Sequence, residues 1–227
     1  MKIGVILSGS GVYDGSEIHE AVFTLLAIDR QGAESVLFAP NKNQHHVINH
    51  LDGSEMQESR NVLIEAARIA RGSIQDLKEI DLSHLDALVI PGGFGAAKNL
   101  NTWALFGPES TIDEDVQKAI LDAIHRKIPI AALCMGPTVI AKALEGSSIK
   151  ATVTVGTTES SSPYDIKGIS EGINKVGSNA VMKTVHQIAV DSENRIISAP
   201  CYMMDGSISD IHNNIEEAIE KLFEFLQ

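Results

Sequence analysis

The sequence predicts an α/β fold: a mostly parallel sheet with helices on both faces, as one domain over residues 1–227. Two observations carry this. Short apolar runs alternate along the chain with longer stretches of helical period, the pattern of successive βαβ units. The apolar runs hold almost no polar residue, so they read as strands buried on both faces. No repeat, low-complexity segment or long linker divides the chain.

Ile3-Gly4-Val5-Ile6-Leu7 reads as the first strand, followed by a Gly/Ser-rich loop. Ser16 is placed to cap a helix running to Arg30, which Gly32 ends. Ser35 to Ala39 is a second strand, closed by Pro40, and Asn41 to Gly53 is polar and turn-rich. Positions 62, 63, 66, 67 and 70 form a helical stripe within Arg60–Arg71. Ala87-Leu88-Val89-Ile90 is a strand that runs into Pro91-Gly92-Gly93-Phe94-Gly95. Val116 to Arg126 is helical, Ile128 to Cys134 a strand and Pro137 to Leu144 the helix behind it. Ala151 to Val155 is β-branched and predicts a strand, and Ile166 to Val176 a helix. Val181, His186–Val190 and Arg195–Ser198 read as short strands, the last two joined by a turn at Asp191-Ser192-Glu193-Asn194. Asp210 to Leu226 is a closing amphipathic helix, and Ser160-Ser161-Ser162-Pro163 a loop.

With 44% hydrophobic residues and 4% aromatic, aliphatic packing fills the core. A net charge of −12 argues against nucleic-acid and anionic-membrane partners, which need basic patches. The two cysteines, Cys134 and Cys201, form no CxxC or zinc pattern, and a cytoplasmic location is expected from them. No signal peptide is expected, and the longest uncharged apolar stretch, Pro129 to Ala141, falls short of the roughly 20 residues of a membrane span.

In open α/β sheets ligands bind beyond the carboxyl ends of strands. Three such loops carry unusual residues: Ser8 to Glu20, Pro91 to Asn99 and Cys134 to Pro137. Cys134 ends an apolar strand and turns at once into Met135-Gly136-Pro137, a cysteine version of the nucleophile elbow. The alternative is a small core residue at a strand end. A helix N-terminus behind the thiol is expected to lower its pKa. The N–H groups of Gly92, Gly93 and Met135 are candidate oxyanion donors. Glu17 and Glu20, three apart at the start of the first helix, are candidate proton carriers, although carboxylates there also suit the helix dipole. His19 and His186 are the two histidines worth testing near the site; His45, His46 and His50 lack convincing metal partners. Ser8-Gly9-Ser10-Gly11 misses the dinucleotide spacing, and no P-loop follows.

With these residues in view, the chain resembles the PfpI-like superfamily, which includes class I glutamine amidotransferase-like proteins, the parkinsonism-associated deglycase and glyoxalase III. Within it the chain looks most similar to ElbB-type glyoxalases, also described as amidotransferase-like isoprenoid biosynthesis proteins. Residues 4–21, 58–63, 91–100 and the Cys134 elbow carry the resemblance. It implies a flavodoxin-like sandwich, Cys134 as nucleophile and Glu20 as the carboxyl touching the thiol. It also implies a homodimer in which Arg60 reaches the partner's site. Relatives with a Cys-His pair place a histidine after the strand that follows the nucleophile helix; here that stretch is Thr154-Val155-Gly156-Thr157-Thr158-Glu159. That departure argues against glutamine hydrolysis. The expectation is a glyoxalase that takes a small 2-oxoaldehyde to a 2-hydroxy acid with no cofactor and no metal. The alternative is a non-catalytic redox-sensing or regulatory protein linked to isoprenoid metabolism.

Overall fold

A computed structural model describes residues 1–227. Its elements follow the alternation of the sequence: β1 (Lys2–Ile6), α1 (Ile18–Arg30), β2 (Glu34–Ala39), α2 (Val62–Ile69), β3 (Gln75–Asp76), β4 (Ala87–Ile90), α3 (Trp103–Phe106) and α4 (Glu114–His125). Then come β5 (Ile130–Leu133), α5 (Gly136–Leu144), β6 (Thr152–Val153), α6 (Ile166–Lys175), β7 (Asn179–Ala180), β8 (Ala189–Asp191), β9 (Ile196–Ala199) and α7 (Ile208–Glu224).

The main sheet has the order β3-β2-β1-β4-β5-β9-β8, parallel throughout except for the β8–β9 pair. Its centre, β2-β1-β4-β5-β9, is the flavodoxin-like strand order, which reverses direction at β1. Right-handed crossovers put α1 on one face, because β1 to β2 moves one way along the sheet, and α4 and α5 on the other. α7 packs along α1, and α4 along α5. The fully buried β4 and β5 explain their unbroken apolar runs. One buried core extends from Ile3 to Phe223 and includes Cys134 and Trp103. No helix is long and apolar enough to cross a membrane.

Several boundaries differ from expectation for identifiable reasons. Ser16 does not cap α1. Its hydroxyl accepts the Ser8 N–H at 2.9 Å, and Glu17 is the cap, accepting the Glu20 N–H at 2.7 Å. The closing helix begins two residues before Asp210 because Ser207 and Asp210 form a reciprocal capping box. The strand expected at 151–155 shrinks to β6, which pairs with β7 in a separate two-stranded sheet, and the Thr154 N–H turns to Ser198 Oγ at 2.9 Å. α3 and the π-helical turn Ala96–Leu100 are too short to leave a periodic signal.

Candidate active site

The loops after β1, β4, β5 and β9 meet at the carboxyl edge of the sheet. The first two are interlocked: the Glu17 N–H donates to the Gly92 carbonyl at 3.0 Å, the Phe94 N–H to Val12 at 2.8 Å and the Gly95 N–H to Gly15 at 2.8 Å. Asn99 adds a clasp, its amide donating to the Ser8 and Asp14 carbonyls at 2.9 Å each.

Cys134 stands just past β5, where its N–H still donates to the Ala199 carbonyl of β9 at 2.9 Å. Its backbone then enters the left-handed region at φ 55°. A non-glycine residue held there costs about 1–3 kcal/mol, and such strain gathers at functional sites. The residue is 5% exposed and opens onto a cavity. The N–H groups of Gly93 and Met135 point at the sulfur. Met135 caps α5, whose first turn holds Gly136-Pro137.

The structure separates the two glutamates. Glu20 is fully buried on the first turn of α1 and shares a hydrogen bond with the Cys134 thiol. Its Oε2 accepts the Gly92 N–H at 3.1 Å and its Oε1 the Tyr202 N–H at 3.2 Å. Glu17 instead spends a carboxylate oxygen on the helix cap and lines the cavity. Gly92 therefore does not serve as an oxyanion donor as the sequence suggested, because its N–H is committed to Glu20; Gly93 and Met135 remain. A Cβ on Gly92 would come within 2.3 Å of Cys134 Cβ, 2.5 Å of Glu20 Oε2 and 2.8 Å of the sulfur. Glycine is what lets the thiol and the carboxyl face each other.

Burial pushes Glu20 up to about 8, aided by the charge of Glu17 and opposed by the Tyr202, thiol and Gly92 hydrogen bonds. Cys134 is also pushed well above the usual thiol range, by burial first and by the Glu20 charge second. The lowered thiol pKa expected from the helix N-terminus is thus overturned. The Gly93 and Met135 N–H groups favour the thiolate, but desolvation beside a carboxyl outweighs them. Thiol and carboxyl interact closely enough that their titration belongs to the pair rather than to either group.

The other expected participants lie elsewhere. His19 bonds to the Tyr202 hydroxyl at 2.9 Å and is exposed; His186 is exposed beside Asp210. Neither lines the cavity. The Arg60 guanidinium is held by Glu58 at 2.8 Å and Glu65 at 3.6 Å, away from the cavity lining. His50 accepts the Tyr13 N–H, and no group of three or more His, Cys, Asp or Glu side chains gathers as a metal site. Residues that sequence reasoning missed form the cavity wall: Phe94, Trp103, Tyr164, Ile169 and Met203. Tyr164 is pushed up to about 12 by burial and by the nearby Cys134 and Glu20, so it stays a hydroxyl donor. Cys201, just past β9, repeats the left-handed backbone of Cys134 at φ 48°, is wholly buried, and donates its N–H to Asn214.

A family model for the DJ-1/PfpI family matches residues 11–199. The chain belongs to the DJ-1/PfpI family. A human relative, glutamine amidotransferase-like class 1 domain-containing protein 3, mitochondrial, is 39% identical over 98% of this chain and 82% of its own. The crystal structure of an isoprenoid biosynthesis protein with amidotransferase-like domain from Ehrlichia chaffeensis superposes with a TM-score of 0.90 at 35% identity, covering both chains fully. Glyoxalase III from Candida albicans superposes with a TM-score of 0.61 at 16% identity, over 97% of each chain, a likeness of fold alone. The DJ-1/PfpI resemblance read from residues 4–21, 58–63 and 91–100 is therefore correct. The cytoplasmic location is not: the human relative is named mitochondrial, as are rat and zebrafish relatives. Unpaired cysteines distinguish reducing from oxidising surroundings and carry no organelle address.

Proposed function

We propose that the protein is a glyoxalase that converts a 2-oxoaldehyde to the corresponding 2-hydroxy acid, with Cys134 as nucleophile and Glu20 as proton carrier. The observation that supports it best is a buried thiol that opens onto a cavity no histidine lines and is backed by the buried Glu20 carboxyl. The Cys134 sulfur adds to the aldehyde carbon to give a hemithioacetal, its proton passing to Glu20. Glu20 passes that proton on to the new hemithioacetal oxygen, then takes the hydrogen from the former aldehyde carbon as a proton and returns it to the adjacent carbonyl carbon, while the hydroxyl proton moves across to the adjacent oxygen. The former aldehyde carbon is oxidised to a thioester while its neighbour is reduced to an alcohol. Water then hydrolyses the thioester, releasing the 2-hydroxy acid and restoring the thiol. In this reading the Gly93 and Met135 N–H groups, which point at the sulfur, stabilise the oxygen charge that develops beside the C–S bond. Glyoxal loss by purified protein tests this. Cys134→Ala is expected to reduce turnover to background, and undiminished turnover would overturn the reading.

The assembly we propose is a homodimer through α1. Ile18, Val22 and Leu26 recur at helical spacing on that helix and are 46%, 45% and 37% exposed, an apolar stripe facing away from the core. Light scattering is expected to give twice the chain mass for the wild type and the single-chain mass for Val22→Asp; equal masses for both would remove this face as the interface.

A further inference from the structure

The cavity over Cys134 is far larger than a two-carbon dicarbonyl needs. It measures about 410 Å³. Glyoxal fills the space of about two waters, at roughly 30 Å³ each, whereas a cavity of about 150 Å³ already takes a benzene ring. A pocket of this size is in the range that encloses multi-ring ligands.

Its chemistry is also specific. Ten of its sixteen lining residues are hydrophobic, and the charged ones, Glu17 and Asp165, are both acidic. No lysine, arginine or histidine lines it. Lys98 faces a neighbouring hollow, its ammonium 5.4 Å from the centre of the Phe94 ring and bonded to the Tyr13 carbonyl. A phosphate, diphosphate or carboxylate tail would enter this cavity without a cationic partner, and beside two carboxylates.

The wall is built for a ring. Trp103, the chain's one tryptophan, is 5% exposed. It packs against Gly172 of α6, where a Cβ would come within 2.8 Å of its Cζ2. Glycine inside a helix is unfavourable relative to alanine, and here it seats the indole. Phe94 and Tyr164 meet edge to face, 5.8 Å between ring centres. Met203 and Ile169 fill in between as deformable apolar surface.

We propose that the substrate of this site is an uncharged 2-oxoaldehyde carrying an aromatic or bulky apolar tail, which lies against Trp103, Phe94 and Tyr164 while the dicarbonyl meets Cys134. This rests on the glyoxalase reading and specifies its substrate class. The reaction balances as before: an aryl 2-oxoaldehyde plus water gives an aryl 2-hydroxy acid, with thiol and carboxyl regenerated.

The experiment compares kcat/KM for phenylglyoxal, 4-carboxyphenylglyoxal and glyoxal, each corrected with Cys134→Ala. Phenylglyoxal is expected to exceed glyoxal by ten-fold or more, since a buried ring supplies apolar area that glyoxal lacks. The carboxylated compound is expected to fall at least ten-fold below phenylglyoxal. Ile169→Trp, which fills the cavity, is expected to bring the phenylglyoxal-to-glyoxal ratio toward one. A second readout is independent of turnover: neutral mandelamide binding to Cys134→Ala, followed by the fluorescence of Trp103. Cys134-dependent turnover that favours glyoxal, or tolerates the carboxylate equally, overturns the substrate class and leaves the glyoxalase reading standing. Mandelamide binding without turnover of any aldehyde overturns the glyoxalase reading, and with it the proposal as stated, while marking the cavity as an apolar ligand site. Neither turnover nor a fluorescence change overturns both.

Discussion

Glu20→Gln is expected to lose turnover by about 10²–10⁴-fold, the usual worth of a positioned proton carrier, and to change how stability responds to pH. In the fold Glu20 titrates near 8 rather than at its ordinary 4.5, mainly because it is buried. Folding therefore favours the neutral carboxyl. That contribution is complete below about 4.5 and is lost as pH rises through about 8, a change of at most about 5 kcal/mol. Glutamine has the same shape and no titration. It has one acceptor oxygen where Glu20 uses two, for the Gly92 and Tyr202 N–H groups. Leaving one of these donors unmet costs about 1–3 kcal/mol. The variant should thus melt below the wild type at pH 5, and the difference should narrow or reverse by pH 9. Removing the carboxylate also removes the second-largest influence holding the thiol up, so alkylation of Cys134 should begin at lower pH in the variant. Wild-type turnover should rise with pH through about 8, as the pair sheds its first proton. Parallel stability curves for the two proteins would place the titration on another group, and retained turnover would remove Glu20 from the chemistry.

The same carboxyl marks where local sequence stops being informative. Cys134 was legible as a strand-end thiol because β5 is apolar throughout and Gly136-Pro137 follows at once. The choice between Glu17 and Glu20 was not legible from the residues themselves, since both lie on the first turns of one helix; only the family resemblance pointed to Glu20. Tyr202, on the loop after β9 and 182 residues away, settles it by donating its N–H to Glu20. The direction of the thiol pKa was missed for a related reason: the helix N-terminus is local, but burial is a property of the whole fold. The cavity wall was missed because α3, the loop before α6 and the turn after β9 are too short to show a period. The single Trp103, and the two glycines in a segment that still reads as helical, were the available signals. A helix keeps Gly172 where something must approach its backbone closely. The alternation of strand and helix, by contrast, comes from burial repeated along the entire chain, so the sheet was readable even where strand ends were not.

Gly93→Ala should be among the most damaging single-methyl additions in the protein. Its backbone has φ +95°, a region that side chains rarely adopt. A Cβ there would come within 2.3 Å of the Glu17 nitrogen and 2.4 Å of the Gly15 carbonyl oxygen. Both contacts are backbone, so no rotamer change relieves them. Strained backbone costs about 1–3 kcal/mol and overpacking a further 1–3 kcal/mol. Together these lower Tm by roughly 5–20 °C for a chain of this size. Gly32→Ala provides the control, since Gly32 also has positive φ, +70°, but nothing lies within 4 Å of its Cβ position. It carries the strain without the collision, and its expected loss is about 1–2 kcal/mol. The excess in Gly93→Ala measures how firmly the loops after β1 and β4 are locked together. That lock also holds the Gly93 N–H against the Cys134 sulfur, so turnover per folded molecule should fall as well, measured well below the lowered Tm. If Gly93→Ala melts with Gly32→Ala and turns over normally, the two loops have room to move. The thiol, the carboxyl and the N–H donors would then not owe their alignment to this crossing.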